Sequence, residues 1–229
     1  MIIKHYFLFN NERKALNTAD AWRDLRNDPN EPSFFIPATK EEYDSLCRQN
    51  THKELIAFIK NFAIENNCNH IFSVGSGVAN LEYWIKKETN LTVTVSDYND
   101  SVFKLSAINI FDRVMQFDAI NDLYHIDEKT IVLLNRIDTE FDDEMWSKAL
   151  KNMRNQLVKY VICIPTELLT VKSIAVEIKT AFKSFLKRKK RTNCGFIRSK
   201  GHFIRGFQPF YKCNSLLINK KTLFILQIK

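Results

Sequence analysis

The segment Phe72-Ser-Val-Gly75-Ser-Gly77-Val-Ala79-Asn-Leu81 has the composition of a ligand-binding turn. The apolar residues before Gly75 predict a β-strand, and the residues after Ala79 predict a helix. Glycines at such a junction permit a tight turn, let a ligand approach the backbone, and leave the amides of the first helical turn free to bind it. The segment therefore predicts a site for a nucleotide-like ligand.

An acidic residue follows the next predicted strand, in the sequence Ser96-Asp97-Tyr98. Asp97 lies about 20 residues after Gly75, where a carboxylate at the end of the second strand can accept hydrogen bonds from a ribose. The glycine segment and Asp97 together indicate a nucleotide-type ligand. The alternative is a glycine-containing turn beside a solvated aspartate.

The spacing of the small residues favours one type of nucleotide. A dinucleotide fingerprint requires Gly or Ala where this chain has Asn80, whereas Gly75, Gly77 and Ala79 match the pattern G-x-G-x-G with one substitution. This pattern resembles that of the class I methyltransferases that use S-adenosylmethionine (SAM). The resemblance extends from about residue 52 to the end of the chain, and it implies SAM as the cofactor.

The resemblance also implies roles for individual residues. In that family the glycine loop surrounds the methionine part of the cofactor, the acid after the second strand binds the ribose, and an acid after the third strand lies near the adenine. The cofactor-binding residues implied in this chain are Ser73, Gly75, Ser76, Gly77, Asp97, Tyr98, Asp118, Ala119 and Asn135.

Two positions depart from the family pattern. Ser73 stands where an acid usually opens the glycine motif, so a hydrogen bond toward the methionine amino group is expected to be weaker or to come from elsewhere. Ala79 replaces the third glycine. An alanine is tolerated there if its backbone takes helical angles.

The segment Leu134-Asn-Arg-Ile-Asp-Thr-Glu140 follows the fourth predicted strand. In the family this place faces the transferring methyl group, so Asn135, Asp138 and Glu140 could orient or deprotonate an acceptor. The alternative is that they are surface carboxylates beside the helix that begins near Asp142. Methyl transfer from a sulfonium requires no metal, and the histidines show no metal-like spacing.

The elements that must position these residues alternate between strand and helix from residue 70 onward, which predicts a parallel sheet with right-handed crossovers. The predicted strands are Ile71–Val74, Leu91–Val95, Val114–Phe117, Ile131–Leu134, Tyr160–Ile164, Tyr211–Ile218 and Thr222–Ile228. The predicted helices are Asn80–Lys87, Ser101–Phe111, Asp142–Gln156, Val171–Lys189 and Ser199–Phe207, preceded by two that start near Thr39 and Thr51.

The last two predicted strands are joined only by Asn219-Lys-Lys221, and so short a connection requires antiparallel neighbours. The sequence therefore predicts a three-layer α/β Rossmann-like fold, with a mostly parallel sheet, one antiparallel strand in the carboxy-terminal hairpin, and helices on both faces. We expect residues 1–50 to form a helical and loop lid segment, and residues 51–229 to form the SAM-binding methyltransferase domain.

Composition limits the partners and the compartment. The net charge of +8 is concentrated partly in Lys187-Arg-Lys-Lys-Arg191, which is either a nucleic-acid contact or a solvated helix end. Five cysteines without a C-x-x-C pair indicate reduced thiols in a cytoplasm. The apolar opening of the chain is too short for a membrane span.

Four hypotheses about function follow. The first is a methyltransferase that acts on a small molecule, a sugar or a lipid-linked intermediate. The second is a methyltransferase of RNA or another nucleic acid, which the positive charge favours. The third is a catalytically silent Rossmann module that binds a partner, which Ser73 in place of the acid favours. The fourth, an NAD-dependent oxidoreductase, conflicts with Asn80 in the fingerprint.

Overall fold

The computed structural model of this 229-residue chain describes residues 2–4, 14–15, 19–28, 34–186, 192–193 and 195–229. The strands are β1 (Ile2–Lys4), β2 (Lys14–Ala15), β3 (His70–Val74), β4 (Thr92–Asp97), β5 (Arg113–Gln116), β6 (Thr130–Asn135), β7 (Tyr160–Ile164), β8 (Thr192–Asn193), β9 (Phe196–Arg198), β10 (Tyr211–Ile218) and β11 (Lys221–Ile228). The helices are α1 (Ala19–Asn27), α2 (Lys40–Leu46), α3 (Lys53–Glu65), α4 (Asn80–Glu88), α5 (Lys104–Ile108), α6 (Asp143–Asn155), α7 (Val171–Leu186) and α8 (Lys200–Phe207).

Seven of the described strands form one sheet in the order β10-β11-β7-β6-β3-β4-β5. The neighbours from β7 to β5 are parallel, whereas β11 pairs antiparallel with both β7 and β10. One strand, β11, therefore runs against the others, as the short connection between the last two strands predicts. The prediction of a mostly parallel Rossmann-like sheet is confirmed.

The sheet separates two apolar clusters because successive side chains of a strand point to opposite faces. In β3, Ile71 belongs to the cluster beneath α3 and α4, whereas Phe72 and Val74 belong to the cluster beneath α6 and α8. Both faces of the central strands are thus buried, which explains why the sequences of these strands are nearly continuous runs of apolar residues. Helices on both faces confirm the predicted three layers.

Two short pairings connect the amino-terminal residues with the region before α8. Strand β1 pairs antiparallel with β9, and β2 pairs parallel with β8. The basic segment Lys187–Arg191 lies outside the described residues.

The structure differs from the predicted elements in three places. The predicted helix Ser101–Phe111 is a 3₁₀ turn (Asp100–Phe103) followed by the short α5, which ends where Asn109 takes a left-handed φ of 53°. Thr39 caps α2 as expected, but His52 rather than Thr51 precedes α3. The helical spacing of the apolar residues in α7 also predicts a buried face, but the described apolar side chains of this helix are largely exposed, with Phe182 at 63% and Val171 at 87%.

Arg198, at the end of β9, connects the carboxy-terminal part of the chain with the loop that follows β6. Its fully buried guanidinium donates to the carbonyl oxygens of Asp138 and Phe141, both at 2.6 Å, and to Asp143 Oδ1 at 3.0 Å. Planar guanidinium groups can satisfy several acceptors at fixed angles. Arg198 therefore fixes the path of residues 138–143.

We expect Arg198→Met to lower the free energy of unfolding by about 3 kcal/mol or more, because it leaves two carbonyls and a carboxylate without their buried donor. Urea unfolding followed by circular dichroism measures the change. Arg205→Met, at an exposed position of α8, is the matched control and is expected to change stability little. A loss below about 1 kcal/mol for Arg198→Met would contradict this role.

Candidate functional site

The glycine loop connects β3 to α4 through an unusual backbone path. Gly75 and Gly77 have φ values of +65° and +58°, and Ala79 also lies in the left-handed region at φ 53° and ψ 36°. Ala79 therefore does not take the right-handed helical angles at which an alanine is readily tolerated. The third small residue keeps a glycine-like conformation, at a cost of about 1 kcal/mol for a residue with a Cβ.

Neighbouring elements hold the loop in this path. The hydroxyl of Tyr43, on α2, donates to the carbonyl of Val78 at 2.7 Å and to that of Ala79 at 3.1 Å. The amide of Ser76 donates to the carbonyl of Ser96, at the end of β4, at 2.8 Å. The loop is thus fixed to both the amino-terminal helices and the adjacent strand.

Asp97 lies at the carboxyl end of β4, beside the glycine loop, and is 6% exposed. The amide of Gly77 donates to Asp97 Oδ2 at 3.1 Å, and the amide of Asn99 donates to Oδ1 at 3.0 Å. The sequence-predicted glycine and carboxylate therefore contact each other directly. A third element, helix α1, also contributes to this cluster, since Arg26 donates to both oxygens of Asp97.

Gly75 is covered by Ile137, from the loop after β6. A Cβ built on Gly75 would lie 2.4 Å from Ile137 Cγ2, whereas a Cβ on Gly77 would meet nothing within 4 Å. Glycine is thus required at position 75 by close packing as well as by its backbone angles. Of these two glycines, Gly77 is the one that adjoins open space.

Ser73 lies next to the last residue of β3, and its hydroxyl donates to Glu82 Oε1, on α4, at 2.6 Å. Glu82 is fully buried, and its Oε2 has no hydrogen-bond partner among the described residues. Burial raises the pKa of Glu82 to about 7. A carboxyl group therefore lies against Ser73 after all, but it comes from the following helix.

Three further residues of the expected cofactor site, Tyr98, Asp118 and Ala119, follow β4 and β5, and Asp118 is the one expected near the adenine. Tyr98 is 58% exposed, and Asp118 uses both carboxylate oxygens within its own turn, on the amide of Ile120 and on Asn121 Nδ2, each at 2.8 Å. Ala119 is buried, and its carbonyl accepts a hydrogen bond from Asn152. Asp118 thus orders the loop after β5.

The loop after β6 brings two carboxyl groups to the same edge of the sheet. Asp138 is buried and accepts hydrogen bonds at Oδ1 from the amide and the hydroxyl of Thr166, at 2.8 and 3.1 Å. Glu140 is partly buried and accepts from Trp22 Nε1, on α1, at 3.2 Å. Asn135, at the end of β6, is partly buried.

Burial raises the pKa of both acids, to about 6 for Asp138 and to about 7 for Glu140. The nearby negative charges of Asp138 and Asp97 add to the effect on Glu140. The structure therefore places the acidic residues Asp97, Asp138 and Glu140 at the same edge of the sheet. Within the described residues, no group of three or more His, Cys, Asp or Glu side chains could hold a metal ion.

Sequence reasoning missed three residues of this region: Arg26, Glu82 and Ile137. Trp22 belongs to the segment that the sequence predicts as a lid. Arg26 contacts the site across 71 residues of chain, so no local pattern signals it. Glu82 was detectable in principle, because it is a charged residue between the core residues Leu81 and Ile85 of a predicted helix.

No family model matches the sequence, and no curated protein is significantly similar to it. The sheet with its reversed strand and the glycine loop nevertheless define the class I methyltransferase fold. PigF, solved with S-adenosylhomocysteine (SAH), has this fold with a TM-score of 0.61 at 14% identity. Human N-acetylserotonin methyltransferase, solved with SAM, has it with a TM-score of 0.61 at 12% identity.

The lengths of these proteins differ. The match covers 98% of this chain but 65% of PigF, and 99% of this chain but 62% of the human enzyme. The magnesium protoporphyrin IX methyltransferase of Synechocystis, solved with SAH, is similar over 93% of this chain and 95% of its own, with a TM-score of 0.56 at 13% identity. The likeness establishes the fold.

We expect Glu82→Gln to stabilise the protein above pH 7. The pKa of Glu82 is higher in the folded state than the ordinary 4.5, so its contribution to stability is lost as the pH rises from about 4.5 to about 7. The variant should be about 2 to 3 kcal/mol more stable than the wild type at pH 8, and the difference should shrink toward pH 5.

Urea unfolding at the two pH values measures this difference. Glu65→Gln, at an exposed position of α3, serves as the control. Equal stabilities of Glu82→Gln and wild type at pH 8 would show that the buried carboxylate is ionised without cost.

Proposed function

We propose that the protein is a SAM-dependent methyltransferase that acts on a small-molecule, sugar or lipid-linked acceptor. The observation that carries the proposal is the direct contact between Asp97 and the amide of Gly77, inside the class I methyltransferase fold. Similar structures that contain SAM or SAH support the choice of cofactor, and the names of two of them, which refer to small molecules, support the choice of acceptor.

The residues at the glycine loop are of the types that can bind such a cofactor. Open space adjoins Gly77, and the buried hydroxyl of Ser76 has no hydrogen-bond partner among the described residues. The Asp97 carboxylate is placed to accept from ribose hydroxyls once it is released from Arg26. Gly75, Ser76 and Gly77 would hold the methionine part, and Asp118 with Ala119 would adjoin the adenine.

When bound, SAM would supply a methyl group on a sulfonium, which requires an acceptor atom with a free lone pair. An acceptor hydroxyl or amine that carries a proton must lose it, and Glu140 is suited to receive it because its pKa of about 7 lies near neutral pH. Asp138 is bound to Thr166, and we assign it a positioning role in the same loop. Asn135 could orient the acceptor.

The silent-module hypothesis remains the second candidate, because Arg26 engages both oxygens of Asp97. The basic segment Lys187–Arg191, which favours the nucleic-acid hypothesis, lies outside the described residues.

We also propose a cytoplasmic location. The four described cysteines, Cys47, Cys68, Cys163 and Cys213, are all free thiols, which supports it.

No helix in the described ranges is long and apolar enough to cross a membrane.

Calorimetric titration with SAH tests the cofactor. We expect micromolar binding that weakens by about 10- to 100-fold in Asp97→Asn, because a neutral amide is a poorer acceptor for ribose hydroxyls. Asp100→Asn, three residues away and partly exposed, is the control and should bind as the wild type does. Equal affinities of wild type and Asp97→Asn would contradict the role of Asp97.

A further inference from the structure

Helix α1 places a guanidinium group on the carboxylate that the proposed function requires. Arg26 Nη1 donates to Asp97 Oδ1 at 3.0 Å, and Nη2 donates to Oδ2 at 2.7 Å. The side chains of this pair are 5% and 9% exposed. The two residues are 71 positions apart, so the contact is a tertiary one that fixes α1 to the end of β4.

The Asp97 carboxylate has no remaining capacity for a ribose in this arrangement. A carboxylate offers about four acceptor sites on its two oxygens. Arg26 takes two of them, and the amides of Gly77 and Asn99 take one each. The two amides belong to the loops that build the site, whereas Arg26 comes from outside the sheet. Arg26 is therefore the donor that a ribose diol would replace.

Further contacts of α1 span the same edge of the sheet. Arg23 pairs with Asp100 at 3.1 Å, after the end of β4, and Trp22 Nε1 donates to Glu140 Oε2 at 3.2 Å, in the loop after β6. The Arg26 guanidinium also lies 5.6 Å from the centre of the Trp22 ring. Helix α1 thus bridges the ribose side and the acceptor side of the proposed site.

We propose that Arg26 competes internally with the ribose of SAM for Asp97, so that this residue sets the affinity for nucleoside ligands and must leave the carboxylate before they bind. The inference rests on the proposed function. Its physical basis is that a protein whose binding-competent state is sparsely populated shows an apparent affinity reduced by that population. Removing the competing guanidinium raises the population and hence the affinity.

The decisive experiment is calorimetric titration of wild type, Arg26→Met and Arg23→Met with SAH. Methionine keeps much of the apolar length of arginine but cannot donate a hydrogen bond. We expect Arg26→Met to bind SAH about tenfold more tightly than the wild type. Arg23→Met removes an exposed ion pair one turn earlier and should change the affinity less than twofold.

Titrations with two further ligands distinguish competition at the ribose from a general effect of the Arg26→Met substitution on the fold. 5′-Methylthioadenosine retains the ribose and should show the same gain in affinity with Arg26→Met, whereas adenine lacks the ribose and should show none. Weaker or equal SAH binding by Arg26→Met would overturn the inference while leaving the proposed function intact, because Arg26 would then position Asp97 for the ligand. Failure of both proteins to bind SAH would overturn the proposed function as well.

A kinetic measurement on the wild type keeps the inference testable if Arg26→Met does not fold. The Trp22 ring lies 5.6 Å from the Arg26 guanidinium, so Trp22 fluorescence reports the release of Arg26 from Asp97, and Trp22→Phe identifies the part of the signal that comes from Trp22. In stopped-flow mixing with SAH, we expect the observed rate to level off at high ligand concentration, because release of Arg26 limits binding. A rate that rises linearly throughout would overturn the inference.

Discussion

The buried carboxylate of Asp97 is the group on which the arrangement around it depends. A negative charge in a site of such low exposure is stable only if donors surround it, and the donors come from three separate parts of the chain. The amide of Gly77 closes the glycine loop onto β4, the amide of Asn99 starts the turn after that strand, and Arg26 fixes helix α1 to both. One charge therefore determines the relative positions of a loop, a strand end and a helix.

The sheet could be predicted from the sequence because its central strands are buried on both faces. This burial produces short runs such as Ile71–Val74 and Tyr160–Ile164, whose type and order are visible without knowledge of their partners. The reversal of β11 was equally predictable, since a very short connection leaves only one direction for the second strand. The glycine motif and Asp97 were identified for the same reason, because both are tied to strand ends.

The remaining features depend on contacts between distant residues. The chain from Ser101 to Phe111 has a helical pattern, yet α5 ends early because Asn109 adopts the left-handed region. The backbone of Ala79 accepts a hydrogen bond from Tyr43 on another helix, and the loop sequence does not reveal this contact. The positions of Trp22 and Arg26 likewise follow from tertiary packing, which hydrophobic periodicity does not encode.

The contact between Gly75 and Ile137 has a consequence for how this sequence can change over time. The Ile137 side chain lies where a Cβ on residue 75 would stand, so the two positions share one volume. A larger residue at 75 becomes tolerable only in a chain that already carries a smaller one at 137, and it would still adopt a left-handed backbone. In related sequences, a larger residue at 75 should therefore occur only together with a smaller residue at 137. The substitution at 137 should come first.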